Sequence, residues 1–508
     1  VSGWQGVGGV VGHAYGATTN ITSNVILVAT GGYSGGLVGV LRGALSSNTV
    51  NGNTASGSVT AAGPRVGGAV GEAFGAISNT HTSNDVTSTS NEVGGLAGWS
   101  GNTISDSSAS GDVEGVDYVG GAVGYSSTLT NVTASGDVSG EDYVGGAVGH
   151  SGNLNSVTAS GNVVGLYNVG GVAGKIGDST QARDLTFNGV GKTVEGEDNV
   201  GGIAGALGWT ASLDVTDLTK NTSSANVIAS GERVGGAVGD AWGTINKTEA
   251  TGDVTAVGDM VGGLVGYTYS NIGNSNASGN VSSDGSQVGG LVGWFVGQML
   301  SNSSATGSVD GSDAVGGLVG DANGDGTSID NSFATGSVTG VEDIGGLVGS
   351  FAGQALSNSY ATGSVVGSED VGGLVGSFDG LTLSNSYATG DVTAEMYVGG
   401  LVGSHDGGEL TNSYATGDVT ADVYVGGLVG YWDDGTLVSN SFYNVDGVTI
   451  TVDGEDVSKE VTLGGLYGTQ YATWQTGGRM ALVASDYFTA DTDGNYLMAN
   501  TTDLKNLL

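Results

Sequence analysis

The phrase Val-Gly-Gly-Leu-Val-Gly at positions 371–376 recurs, with conservative changes, along almost the whole chain. Seventeen copies begin at residues 7, 34, 66, 93, 119, 144, 169, 200, 234, 261, 288, 315, 344, 371, 398, 425 and 463. Between 234 and 425 the spacings are 27, 27, 27, 29, 27, 27 and 27. A fixed period of roughly 20 to 50 residues restricts a chain to stacked repeats, because one unit cannot bury its own apolar face and neighbours must do so for each other. The 508 residues then need no division into compact domains, since a repeat array lengthens without enlarging its core.

Each period, best seen over residues 371–397, holds short runs rich in Val, Thr and Tyr between Gly, Asp and Ser turns, with no helical periodicity. We read about three short strands per period. Propeller blades take ~40 residues or more and close in rings of about 4 to 8, which neither the period nor the copy number allows. The expected fold is all-β, a parallel β-solenoid (β-helix) of about 16–17 coils with about 27 residues per coil. It spans residues 1–443, with insertions near 40–65, 174–199 and 205–233, where the spacing rises to 32, 31 and 34. The last interval widens to 38, so residues 444–508 read as a divergent last coil and a C-terminal cap or the start of a further domain. A start at Val1 without a signal-peptide pattern marks a processed product or a fragment.

In the second half of the period Ala388, Gly390 and Val392 alternate with Thr389, Asp391 and Thr393, as a strand with one wet face requires. The Gly-Gly phrase instead carries two adjacent apolar residues. Successive side chains on a strand point to opposite faces, so we expect an apolar stripe outside the coil, covered by another solenoid, a second copy or the chain itself. Asn302, Asn331, Asn358, Asn385, Asn412 and Asn440 fall in one column, as a structural ladder at a coil corner. Phe333, Tyr360, Tyr387, Tyr414 and Phe442 form another, and Tyr397 and Tyr424 a third. Such columns serve as cladding or core; ring faces able to grip sugars are the alternative.

The family these phrases resemble is the GLUG-motif repeat, through Gly-Gly-Leu-Val-Gly at 345–349 and Asn-Ser-Tyr-Ala-Thr-Gly-Ser-Val at 358–365. The resemblance covers roughly residues 7–443. It implies a secreted, repetitive stalk or adhesive region of the kind found in large bacterial surface proteins, including filamentous haemagglutinin-like adhesins and the non-catalytic parts of some immunoglobulin A metallopeptidases. It brings no catalytic residues, and the chain has no His-Glu-x-x-His.

The net charge of −39, from 50 acidic and 11 basic residues, repels nucleic acid and anionic membranes. No apolar run approaches the ~20 residues of a membrane span, so no membrane insertion is expected. Cysteine is absent, which removes disulfides and thiolate chemistry. His13, His81, His150 and His405 lack metal-site spacing. Six of the basic residues lie between 175 and 247 and none between 247 and 459. The loops around Lys175, Arg183, Lys192, Lys220 and Arg233 are therefore the first place to look for recognition. Calcium is the most credible ligand: Asp321, Asn323 and Asp325 have the spacing that opens an EF-hand-like loop, and Asp491, Asp493 and Asn495 echo it. Stacked acids such as Asp112 with Asp137, or Asp391 with Asp418, would repel unless a cation or solvent screens them.

These features predict an extracellular or cell-surface structural and adhesive segment, a rigid stalk or filament-forming solenoid without catalysis. Self-association, lateral or head to tail, or packing with other surface protein follows from that. The alternative is a solenoid that itself binds surface glycans, with calcium participating.

Overall fold

The coil around residue 380 shows how the repeat makes a rung. Five short strands follow one another: Glu369–Gly372, Val375–Phe378, Thr382–Ser384, Tyr387–Ala388 and Val392–Thr393. Each pairs in parallel with its equivalent in the next coil, with Val371 opposite Val398, Val375 opposite Val402, Leu383 opposite Leu410, Ala388 opposite Ala415 and Val392 opposite Val419. This is a computed structural model, and it describes residues 1–46, 53–178, 181–213, 220–432, 437–443 and 448–450, with no helix among them. The first strands of successive coils build one parallel sheet of 15 strands, and the other four positions a continuous wrapped sheet of 56. A bridge between Gly8 and Gly35 adds a coil at the N-terminal end, so about 16 coils are stacked. At the ~4.8 Å spacing of paired strands the rod is about 75 Å long. The copy beginning at Leu463 and residues 451–508 lie outside the described residues.

Five strands per coil replace the expected three. The run 381–393 is broken at Asn385, where φ is 50°, and again before Val392. In the shorter coils the second, third and fourth strands merge into one, as in Ala97–Ala109, Val123–Ala134 and Val148–Ala159, while the fifth stays separate, as in Val113–Glu114. The alternation itself holds, with Ala388, Gly390 and Val392 buried and Thr389, Asp391 and Thr393 exposed.

The expected outer apolar stripe is not there. Leu374 and Val375 are both fully buried, as are Leu347 with Val348 and Leu401 with Val402. The chain turns the corner between its two sheets at Gly373 and Leu374, which breaks strand alternation and sends two successive side chains into one interior. Glycine makes this corner possible. A Cβ on Gly373 would fall well inside contact distance of the Gly400 carbonyl oxygen one coil on, and one on Gly376 would sit 2.5 Å from the Asp343 carbonyl carbon and the Ile344 nitrogen. Val371, Leu374, Val375, Phe378, Leu383, Ala388 and Val392 then fill a core that continues from coil to coil.

The Asn column supplies a corner. Asn302, Asn331, Asn358, Asn385, Asn412 and Asn440 all have φ of 49–53°, the left-handed region that Asn tolerates best after glycine. Asn331 Nδ2 donates to Asn302 Oδ1 at 2.5 Å, whereas Asn358 Nδ2 donates to Asp330 Oδ1 at 2.6 Å. The left-handed turn sends the following N–H inward, away from the ladder, and a buried serine takes it up. Ser359 N–H donates to Ser386 Oγ at 3.2 Å, Ser386 N–H to Ser413 Oγ at 3.2 Å, and Ser386 Oγ donates to the Ser384 carbonyl at 2.8 Å. The same relay runs through Ser275, Ser303, Ser332 and Ser441. It satisfies backbone groups that would otherwise be buried without partners.

Replacing Ser386 by Ala removes the acceptor of Ser359 N–H. We expect a local cost of about 1–3 kcal/mol, seen as faster hydrogen exchange at the Ser359 amide, while amides several coils away keep their protection.

Candidate functional site

A second column of left-handed residues stands just before each Val-Gly-Gly. It includes Tyr118, Tyr143, Arg233, Asp343 and Asp370, with φ of 52–59°. Here the chain bulges out of the first-strand sheet: Glu342 pairs Glu369 and Ile344 pairs Val371, with the residue between them passed over. The side chain turned outward meets the one seven residues on, in the second strand of the same coil, and the two columns form a lane along the rod.

The lane changes character along its length. At its start Arg65 bonds Glu72 and, at 2.7 Å, Glu92, with its guanidinium 5.1 Å from the Trp99 ring centroid. Tyr118 and Tyr143 stack at 4.8 Å beside Tyr125 and His150, which stack at 4.9 Å. Farther on, Arg233 lies 3.9 Å from Asp240 and over Tyr267. Next come Asp321, Asp343 and Asp370. Burial, followed by the neighbouring charge of Asp370, Asp313, Glu342 and Asp321, pushes the Asp343 carboxyl up to about 7. Burial also lifts Asp321 to about 6, with Asp313 adding to it and a hydrogen bond from Gln287 opposing it, and lifts Asp370 to about 6, with Glu369, Glu342 and Asp406 adding to it. No lysine or arginine between 247 and 459 is available to offset them.

Stacked acids elsewhere escape mutual repulsion in a way the sequence did not reveal. Asp112 N–H donates to Asp85 Oδ1 at 3.1 Å, Asp137 N–H to Asp112 Oδ1 at 2.9 Å, and Asp418 N–H to Asp391 Oδ1 at 2.9 Å. Each of these carboxylates thus receives a backbone donor from the next coil. Asp85, Asp112, Asp137, Glu114 and Glu195 border an open groove of about 590 Å3.

The expected site residues are only partly gathered. Lys192 reaches Asp137 at 3.5 Å, Lys220 reaches Glu249 at 2.7 Å, and Arg183 Nε donates to Asn155 Oδ1 at 3.0 Å. Lys175 stands in register with His150 and Ala206 in the second-strand column, so that it and Arg233 share the lane while the other three lie elsewhere. Asn323 Nδ2 donates to Asp321 Oδ2 at 3.0 Å, and Asn323 Oδ1 accepts the Trp294 indole N–H at 2.8 Å. Asp325 is exposed in the turn that follows. Among the described residues no three His, Asp or Glu side chains are gathered as a metal ion would need. Asp491, Asp493 and Asn495 lie outside the described residues.

The aromatic columns stack as expected. Phe333–Tyr360, Tyr360–Tyr387 and Tyr387–Tyr414 each have centroids 4.9 Å apart and planes within 7° of parallel. Rings so stacked cover one another's faces and present edges to solvent, which favours cladding over a grip on sugars. A buried column, Phe351 and Phe378 at 5.3 Å, continues into His405.

Fold and surface together define a repeat protein built as a parallel β-solenoid, with one sequence repeat per coil. Three GLUG motifs are found in it, at residues 89–114, 258–282 and 394–420. Each matched span opens before a Val-Gly-Gly and closes on the fifth strand, at Glu114, Ser282 and Thr420, so the motif is one coil. No curated protein and no solved structure matches the chain.

Two opposite pH dependences follow. Unfolded aspartate titrates near about 3.9, so the raised carboxyls bind protons more tightly in the folded rod, and their contribution falls as pH climbs from about 4 through about 7. Burial holds His405 down to about 4; unfolded histidine titrates near about 6.5, so this contribution is lost as pH falls between those values. Melting curves from pH 4 to 8 should show Asp343→Asn with Asp370→Asn flattening the alkaline loss, and His405→Phe removing the acid loss.

Proposed function

We propose that the protein is an extracellular, cell-surface structural segment: a rigid stalk that spaces or presents adhesive or filament-forming partners and carries out no catalysis. The observation that supports this most is the coil-on-coil parallel register. Sixteen or so coils repeat the same pairings, so the chain is a rod along which a pull is shared by many parallel hydrogen bonds. Its surface chemistry fits an aqueous, salt-containing exterior, with threonine and aspartate outward on the fifth strands and a net charge of −39. The resemblance to repeats of large bacterial surface proteins points the same way. Association with other copies or with other surface protein belongs to this reading, although the Leu-Val stripe that would have driven lateral pairing lines the interior. Glycan contact by the regular ladders is the weaker reading, because their ring faces are taken.

Negative-stain images of the purified chain should show rods with a solenoid portion of about 75 Å, and antibodies to it should label intact source cells. Globular particles, or label confined to permeabilised cells, would refute the proposal. The Asn323 bond to Asp321 occupies one carboxylate oxygen of the candidate calcium loop, so calcium against chelator should leave the melting temperature unchanged; a rise of several degrees with calcium would support the metal role.

A further inference from the structure

Among the described residues, asparagine precedes glycine at Asn188-Gly189 and at Asn323-Gly324. Such a pair invites an internal reaction, because a residue without Cβ lets its backbone nitrogen approach the preceding side-chain amide. The structure treats the two pairs differently. Gly189 N–H donates to Ser224 Oγ at 3.0 Å, so its proton is engaged. Among the described residues no hydrogen bond holds the Gly324 N–H. Asn323 is exposed in the turn that leaves the second strand of its coil, Val319–Ala322, and its amide has two partners that admit one orientation. The Trp294 indole, a donor only, gives its N–H to Asn323 Oδ1 at 2.8 Å, and Asp321 Oδ2 accepts from Nδ2 at 3.0 Å. An N–H on the amide oxygen stands where negative charge develops when a nucleophile adds to Cγ.

We infer that Asn323 is a self-modification site, converting to aspartate and isoaspartate with the Trp294 indole as oxyanion donor. The Gly324 nitrogen attacks Asn323 Cγ, and the proton it gives up leaves with Nδ2 as ammonia, closing a five-membered imide. Water then opens the imide at either carbonyl. One opening yields aspartate; the other yields isoaspartate, whose main chain runs through the side-chain carbon. The product puts a carboxylate beside Asp321 where an amide donor stood, in a stretch with no lysine or arginine between 247 and 459 to offset it. The core of the coil is untouched, since Val319 and Ala322 stay inward and fully buried, and Thr327 anchors the far side through Oγ1 to the Gly297 carbonyl at 2.6 Å. What loosens is the turn between them, closed by Thr327 N–H to the Gly324 carbonyl at 3.0 Å. This inference is independent of the stalk reading, which micrographs test separately.

The test holds the full chain at neutral pH for several weeks and maps both asparagines by mass spectrometry after chymotryptic digestion. The readouts are the mass change of amide to acid and, with isoaspartyl methyltransferase, the isomer formed. In folded protein we expect conversion at Asn323 to outpace that at Asn188 severalfold, and in urea, where neither turn survives, the two rates to converge. Trp294→Phe should slow Asn323 about tenfold, less than at an enclosed oxyanion site because water can replace the indole. Ser224→Ala, which frees the Gly189 N–H, should hasten Asn188, and hydrogen exchange at the Thr327 amide should quicken as Asn323 converts. An Asn323 that stays intact, or converts no faster than Asn188, overturns the inference. So does a Trp294→Phe chain of unchanged melting in which Asn323 converts as fast as before, or a gap between the two sites that persists in urea.

Discussion

Parallel pairing of each coil with the next demands that every rung present its N–H and C=O groups at the same places as the rung beneath. The rest of the structure follows from meeting that demand in a closed coil. A coil has to turn corners, and each corner either tilts a peptide group out of the ladder or brings two backbones too close for a side chain. The molecule answers the first problem with left-handed residues followed by an internal serine, as at Asn385 and Ser386, and the second with glycine, as at Gly373 and Gly376. The high glycine content, 102 residues, is thus a consequence of stacking, and would signal disorder only if it were unordered in sequence.

The same demand stacks like upon like, which is favourable for valine and unfavourable for charge. Two solutions appear. On the fifth-strand corner, Asp85, Asp112 and Asp137 each accept a backbone N–H from the next coil, so the column of charge is held by a column of donors. On the lane, Asp343 and Asp370 lack such donors among their described bonds and are more than half buried. Their carboxyls respond by holding protons, at about 7 and about 6. Regular acids are therefore structural, while the lane acids make this part of the rod sensitive to pH.

Periodicity made the architecture legible, because 27-residue spacing speaks directly to rung-on-rung stacking. The inward Ala388 and Val392 and the stacked Tyr360, Tyr387 and Tyr414 were legible for the same reason. What failed was inference from strand alternation across a corner: Leu374 and Val375 are neighbours in sequence on opposite sides of a bend, and alternation has no meaning there. The Asn-Ser pair was half read. Asn385 announces a turn through its known tolerance of positive φ, but only the inward direction of Ser386 shows that the serine hydroxyl completes the bonding. Attention to the basic residues found Lys175 and Arg233 on the lane and missed the rings nearby. Trp209 and Trp242 are 33 residues apart because of an insertion, so the regular period that revealed the Asn and Tyr columns hid this one, though the 27 residues from Trp242 to Tyr269 were a visible signal.

The contrast between the two halves of the rod bears on how such a chain divides its work. From 315 to 425 the repeats are nearly uniform, and the rings from Phe333 to Tyr414 lie flat on one another with their faces spent on mutual contact. Around 174–233 the periods lengthen to 31 and 34 residues, the lane mixes Lys175, Arg233 and Asp240, and Trp209, Trp242 and Tyr269 stack at 4.7 Å with planes 36° and 21° from parallel. A solenoid can tolerate such irregularity only in its turns and outward positions, because the inward residues of the same coils, Val200, Ile203, Ala204 and Leu207, remain fully buried. Constancy of the core therefore frees the surface of a few coils to vary without loosening the rod. That separation lets the surface chemistry of one stretch of the solenoid differ from that of its neighbours.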